Sequence, residues 1–263
     1  MMTAPTIYYA VVNLDGDFLL NWQTGSAPIV RYLYQHPQAK LLICHESPDN
    51  QDDCSIVATI EPQLTVEDIG LAPSSLGASG SRLIATLDAT LGQALDAGVD
   101  NFGSAHAKRL AYLSLYYAQL KSLSRRDTII MILSAYLHDF GADRDGQDGG
   151  YGLSRFNRYL DGHGIVDPEL IHAKLTMILK RAHLPWSSTD SQQLMYILAD
   201  SRVTGWTRHL QDWTHDIRLL DQLRFGRSVV LTQLHDYDAM RLLFISQQEL
   251  NLIPDSKTKE ILI

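Results

Sequence analysis

Two runs decide the fold: HAKRLAYLSLYYAQL at 106–120 and, after the short break 121–127, TIIMILSAYLHDFG at 128–141. Both have the length and apolar density of helices. Ser104 is placed to cap the first, which reaches about Leu120. Arg126 and Asp127 open the second, which ends at the helix-stopping Gly141. Helices joined by so short a connection pack antiparallel, so a residue early in the first meets one late in the second. His106 is early, and His138-Asp139, 32 residues on, is late. These three side chains are therefore expected to converge on one point.

Outward from this pair the helical pattern continues. Upstream, Leu83, Leu87, Leu91 and Leu95 recur at four-residue spacing, with Gly98 as a C-cap. Downstream, Asp167-Pro168 opens a helix to about Ala182, because proline suits the first helical position. Thr189 or Asp190 starts another to about Val203, and more helix is expected across 208–222 and 227–250. Before residue 72 the pattern changes. Ile7–Asn13 and Phe18–Trp22 flank Asp15-Gly16, a hairpin signal. Ile29–Tyr34 reads as a short helix, Leu41–Cys44 and Ser55–Ile60 as strands, and Val66–Ile69 as one helical turn. Leu71–Ser81 is rich in Gly, Ser, Ala and Pro. The expected fold is α+β overall. A small acidic N-terminal α/β domain (1–72) and a linker (73–81) precede an all-α bundle of seven or so helices (82–263).

Composition narrows the function. A chain of 263 residues with 45% apolar and 20% charged residues has ample core and is not disordered. Its densest apolar run, Ile129–Leu137, is interrupted by Ser134 and too short to span a bilayer, so no membrane role is expected. No signal peptide is evident, and two cysteines, Cys44 and Cys54, make no disulfide scaffold, so a reducing cytoplasm is the expected home. Residues 1–103 carry three basic and twelve acidic side chains, against nineteen and eighteen in 104–263. Neither segment offers the clustered Lys and Arg that a nucleic-acid polymer would need. Eight of the ten histidines lie after residue 104, which places metal or acid–base chemistry there.

The chain holds three His-Asp pairs, at 138–139, 215–216 and 235–236, where composition alone predicts about one. Only the first closes a strongly apolar helix. For His163, His215 and His235 the sequence supports no more than a surface or hydrogen-bonded histidine.

With these motifs, the region 104–245 resembles the HD superfamily of metal-dependent phosphohydrolases. It is most similar to the HD-GYP branch of cyclic di-GMP phosphodiesterases, whose pattern reads His-x-x-Arg-Val-Ala and then Ala-x-Leu-Leu-His-Asp-Ile-Gly-Lys. Ile171-His172 with Met177–Leu179 is similar to a later His-Pro … Ile-Leu segment. Val229–Met240, VVLTQLHDYDAM, is similar to the closing helix that carries the last metal ligand, which aligns Asp236 with it. The resemblance implies an HD-type bundle whose primary ligands are His106, His138, Asp139 and Asp236, with Asp139 also catalytic. His172 and Asp200 would hold a second ion. An alternative register uses His183 and His209 instead, 26 residues apart. The implied partners are a nucleotide or cyclic dinucleotide, and a signalling protein through residues 1–72.

The chain also departs from that pattern. Ala142 stands where the family has Lys, and Phe102 where some branches have an acidic residue. Ala199-Asp200-Ser201 replaces His-His-Glu, and Gly205-Trp206-Thr207 is the nearest match to Gly-Tyr-Pro. These departures point to weak turnover or to a binding protein that has lost catalysis. Two imidazoles and two carboxylates suit one or two divalent transition ions, iron, manganese, nickel or zinc, better than calcium. Gly141–Gly152 reads as a polar loop beside the site, and Tyr112, Tyr116 and Tyr117 as packing residues.

Overall fold

The computed structural model describes residues 7–44, 56–62, 77–97, 103–140, 151–199, 201–222, 231–243, 245–246 and 253. The fold is α+β, mostly helical with a small sheet near the N-terminus. Strands β1 (Tyr8–Val12), β2 (Phe18–Gln23), β3 (Lys40–Cys44) and β4 (Ile56–Ile60) make a four-stranded sheet in the order β2-β1-β3-β4. The hairpin expected at Asp15-Gly16 joins β1 to β2. Gly16 turns the chain at φ +95°, a conformation open to glycine, and Asn13 Oδ1 accepts the Asp17 N–H at 2.8 Å. Helix α1 (Ser26–Gln35) then carries the chain across to β3, on the other side of β1. Every pairing is antiparallel, so the first segment is not the parallel type of α/β unit.

Alternation sets the two faces of this sheet. Tyr9, Val11, Leu41 and Ile43 join Ile29, Val30 and Leu33 of α1 in the main core. Ala10, Val12 and Leu42 face the other way, with Phe18 and Trp22 packed against them.

Seven α-helices follow among the described residues: α2 (Gly77–Asp96), α3 (Ser104–Leu120), α4 (Arg125–Leu137), α5 (Tyr151–Asp161), α6 (Pro168–Arg181), α7 (Ser188–Leu198) and α8 (Gly205–Leu220). The central one is α4. It is buried from Asp127 to Leu137 on every side, as its dense apolar run requires, and α3 packs against it more extensively than any other helix pair does. The cap of α3 comes from Asp96, whose carboxylate accepts from Ser104 N–H at 2.7 Å and from Ser104 Oγ at 3.0 Å. Asp167 caps α6 through the N–H groups of Glu169 and Leu170, and Ser187 with Asp190 forms a capping box on α7.

Four expectations change. The start of α2 at Gly77 takes in residues 77–81 of the stretch read as linker. Its small residues serve close packing: a Cβ on Gly80 would lie 2.7 Å from Leu115 Cδ1. Helix α5 begins at Tyr151, within the end of the stretch Gly141–Gly152 read as loop, and α7 stops at Leu198, short of Val203. Where helix was expected across 227–250, the described residues make two 3-10 turns, Leu231–Gln233 and Tyr237–Leu242, with α-helix only at 243 and 245–246. Asp236, in extended backbone, breaks the run and caps the second turn by accepting the Asp238 N–H at 2.9 Å. The turn expected at Val66–Ile69, the Gly98 cap and the loop 141–150 lie outside the described residues.

One apolar cluster runs from Tyr9 and Ile43 of the sheet through to Met240 and Ile245, so sheet and bundle share a core. They meet at β4 and Tyr237–Leu242, where Arg241 Nε donates to the Pro62 carbonyl at 3.4 Å. The Tyr9 hydroxyl is pushed up to about 12 by burial and by Tyr237. Cys44, fully buried at the end of β3, is disulfide-bonded. No helix among the described residues is long and apolar enough to cross a membrane.

Candidate metal centre

The antiparallel packing of α3 and α4 brings the first turn of one beside the last turn of the other, and His106, His138 and Asp139 meet there as donors lying within 4.8 Å of one another. His138 extends α4 by one helical residue, and its Nδ1–H donates to the carbonyls of Ser134 and Ala135, each at 3.1 Å. A carbonyl only accepts, so this contact fixes the proton on Nδ1 and leaves Nε2 with a lone pair. His106 is fixed in the same way: its Nδ1–H donates to Asp221 Oδ2 at 2.7 Å. Its Nε2 faces Asp139 Oδ2 at 3.3 Å, while His138 Nε2 lies 2.7 Å from the same oxygen.

This geometry tests whether the residues fit a metal ion. His138 Nε2 is buried and makes no hydrogen bond, although a carboxylate oxygen lies 2.7 Å away. Two lone pairs at that distance repel unless a cation lies between them. A ligating histidine ordinarily holds its second nitrogen to a carboxylate or carbonyl, and both histidines do so here. The residues fit a divalent ion of the borderline kind that imidazole and carboxylate favour.

The protonation states agree. Burial lowers the pKa of the His138 imidazole, against the opposing pull of Asp139. Burial alone would raise the Asp139 carboxyl. The neighbouring His138, His106 and Arg218 together hold it far below the usual carboxylate range. Both groups are therefore in donor form at neutral pH.

The other sequence-derived candidates are not brought to this point. Asp236 is held elsewhere, accepting from Tyr117 Oη at 2.7 Å and pairing with Lys121 Nζ at 2.6 Å. Tyr117 lies three helical turns beyond His106, roughly 16 Å along α3, so Asp236 is corrected from ligand to structural cap. His172 Nδ1 lies 2.9 Å from Ser191 Oγ, and its ring lines an apolar cavity of about 860 Å³ with Leu153, Val166, Met195 and Tyr196. His183 ends α6 at φ +59°, in the place a glycine usually takes, and is exposed. His209 is exposed and stacks on Trp213 with ring centroids 5.8 Å apart. The register through His183 and His209 therefore falls. Asp200 and Ala142 lie outside the described residues.

Three residues that the sequence reading did not assign complete the surroundings. Asp221, just past the end of α8, is the carboxylate behind His106. Arg109, fully buried one turn after His106, donates Nε to Asp221 Oδ1 at 2.9 Å and fixes that carboxylate in turn. Arg218, half-exposed on α8, places its guanidinium 3.9 Å from Asp139 Oδ1. Only Arg109 left a signal, since a buried guanidinium demands an anion.

Gly152 ties α5 to the centre. A Cβ there would lie 2.2 Å from the Leu137 carbonyl oxygen and 2.4 Å from that of His138, both backbone atoms with little freedom to yield. Gly152→Ala is expected to destabilise the chain by about 1–3 kcal/mol or more, through forced separation of α5 from α4. Thermal melts of the variant check this, and an unchanged Tm would contradict the packing. Comparisons with models of known protein families, with curated proteins and with solved structures return no match.

Proposed function

We propose that the chain is a metal-dependent phosphohydrolase of the HD type, akin to the HD-GYP branch, acting slowly on cyclic di-GMP or a related nucleotide. The observation that carries this reading is the convergence of His106 Nε2, His138 Nε2 and Asp139 Oδ2, with each ring's Nδ1–H already engaged. His106, His138 and Asp139 would hold the ion. When bound, it supplies water of lowered pKa and polarises a phosphoryl oxygen. Asp221 and the Ser134 and Ala135 carbonyls orient the two rings. Arg218 offers a positive charge beside the donors, in a chain where Ala142 replaces the family's Lys. We take residues 1–72 as the side from which a signalling partner would act, with the shared core as the physical link.

Turnover should nevertheless be weak. With Asp236 held by Tyr117 and Lys121, three donors meet where the family pattern has four, and among the described residues no further histidine joins this cluster. Charge stabilisation usually supplies the larger share of such a barrier, and losing one group costs ~10²–10³ in rate. We expect cyclic di-GMP hydrolysis below ~1 s⁻¹, abolished by chelator and reduced further in Arg218→Gln. Hydrolysis at or above that rate would refute the reading of a weakened centre. The same placement of Asp236 favours one other reading, a binding or scaffold protein of HD fold. Nucleotide binding with no chelator-sensitive hydrolysis would select it.

A further inference from the structure

We propose that His215, Asp216 and His235 form a second cation site, separate from the first centre, that takes a late first-row divalent ion such as zinc. Their donor atoms lie within 4.8 Å of one another. Asp216 is fully buried on α8, and its Oδ1 lies 3.0 Å from His235 Nδ1 and 3.6 Å from His215 Nδ1. A tetrahedral zinc with bonds of ~2.0–2.2 Å sets its donors about 3.3–3.6 Å apart. The existing spacing needs only small side-chain movements to meet that. The two rings stand edge to face with centroids 4.8 Å apart, so both can turn a nitrogen toward the carboxylate.

The second observation concerns His215. Its side chain is 44% exposed, yet its Nδ1 is shut off from solvent and has no hydrogen-bond partner among the described residues. A buried unpaired ring nitrogen is costly, and a cation between it and Asp216 would satisfy it. Two imidazoles and one carboxylate select zinc, nickel or copper over magnesium or calcium. Asp212 adds negative charge, with Oδ1 3.6 Å from His235 Nε2, but it already pairs with Arg208 at 2.9 Å and stays a neighbour.

The placement defines the role. Asp216 also accepts the backbone N–H groups of His235 and Asp236 at 2.9 and 2.8 Å, stapling α8 to the turn that leads into Tyr237–Leu242. An ion here reinforces that staple. It acts as a clamp on the helix that also carries Arg218, and it takes no part in hydrolysis.

The test uses the full chain, stripped with chelator, reloaded with zinc, dialysed and assayed for metal content by mass spectrometry. His215→Ala should bind one equivalent less than wild type and show a smaller zinc-induced rise in Tm. Asp139→Ala should keep an equivalent that adding His215→Ala removes. Cobalt loading gives an independent readout, because the four-coordinate visible bands of this site should persist in Asp139→Ala and vanish in His215→Ala. Equal zinc content in wild type and His215→Ala would overturn the proposal. That comparison decides it even if Asp139→Ala fails to fold, since His215 lies partly at the surface. Retained zinc in Asp139→Ala that is lost in His215→Ala, with wild type binding no more than Asp139→Ala, supports this site while removing the first centre.

Discussion

Asp139→Ala is expected to abolish stoichiometric metal binding at the first centre and, with it, any hydrolysis. Asp139 Oδ2 is the atom that both histidine Nε2 positions face, at 3.3 and 2.7 Å. Losing even an outer partner of a ligand typically costs 10–100-fold in affinity, so losing one of three donors should cost at least ~10²-fold. Stability gives a second readout. A metal at 100 times its Kd stabilises the folded state by about 2.7 kcal/mol, and a variant that cannot bind forfeits that gain. For a chain of this size the forfeited shift is roughly 5–10 °C in Tm, measured as the difference between metal-loaded and chelated melts. If the centre His106, His138 and Asp139 binds an ion equally well without the carboxylate, the assignment is wrong.

The second large effect is expected at Asp221. Its carboxylate meets His106 Nδ1 at 2.7 Å, Arg109 Nε at 2.9 Å and Arg109 Nη2 at 3.4 Å, with Asp221 3% exposed and Arg109 fully buried. Asp221→Ala leaves the buried guanidinium without this anion, and breaking a buried pair from one side costs ~3–5 kcal/mol. It also releases His106 to rotate, so the residual folded protein should bind metal 10–100-fold more weakly. Denaturant melts measure the first effect and metal titration the second. Asp221→Asn keeps an acceptor for His106 and should recover part of the affinity. Replacing Arg109 and Asp221 together by Met and Leu should recover part of the stability, since no buried charge is then stranded. A loss of stability under about 1 kcal/mol in Asp221→Ala would show that the buried network is not tense in this way.

The sequence carried the parts of this site that depend on near neighbours. His106 and His138-Asp139 sit at matching ends of consecutive helices, and helix length with a short connection is enough to bring them together. Asp221 was out of reach because it contacts His106 across 115 residues, and no local period encodes such a pairing. A family-like string drew the last ligand to Asp236, but the chain there is not helical. In extended backbone the Asp236 side chain caps the next turn, and Lys121 and Tyr117 hold it. His183 misled for a related reason, since the sequence shows a histidine at suitable spacing and the backbone uses it as a left-handed helix end. The Gly-rich stretch before α5 reads as loop, although Gly152 is there to let a helix approach two carbonyls. The hairpin at Asp15-Gly16, the helix α1 and the two later strands were legible because turn chemistry and alternation are local.

The core shared by sheet and bundle bears on how this chain is made. The cluster that holds Tyr9, Val11, Leu41 and Ile43 is completed by Ala239, Met240 and Ile245, which follow about two hundred residues later in the chain. Contacts of such long separation form slowly, because the intervening chain must first be brought to order. Until residues 239–245 follow, the sheet face that α1 covers lacks the rest of its packing, a condition that favours aggregation or chaperone binding of nascent chains.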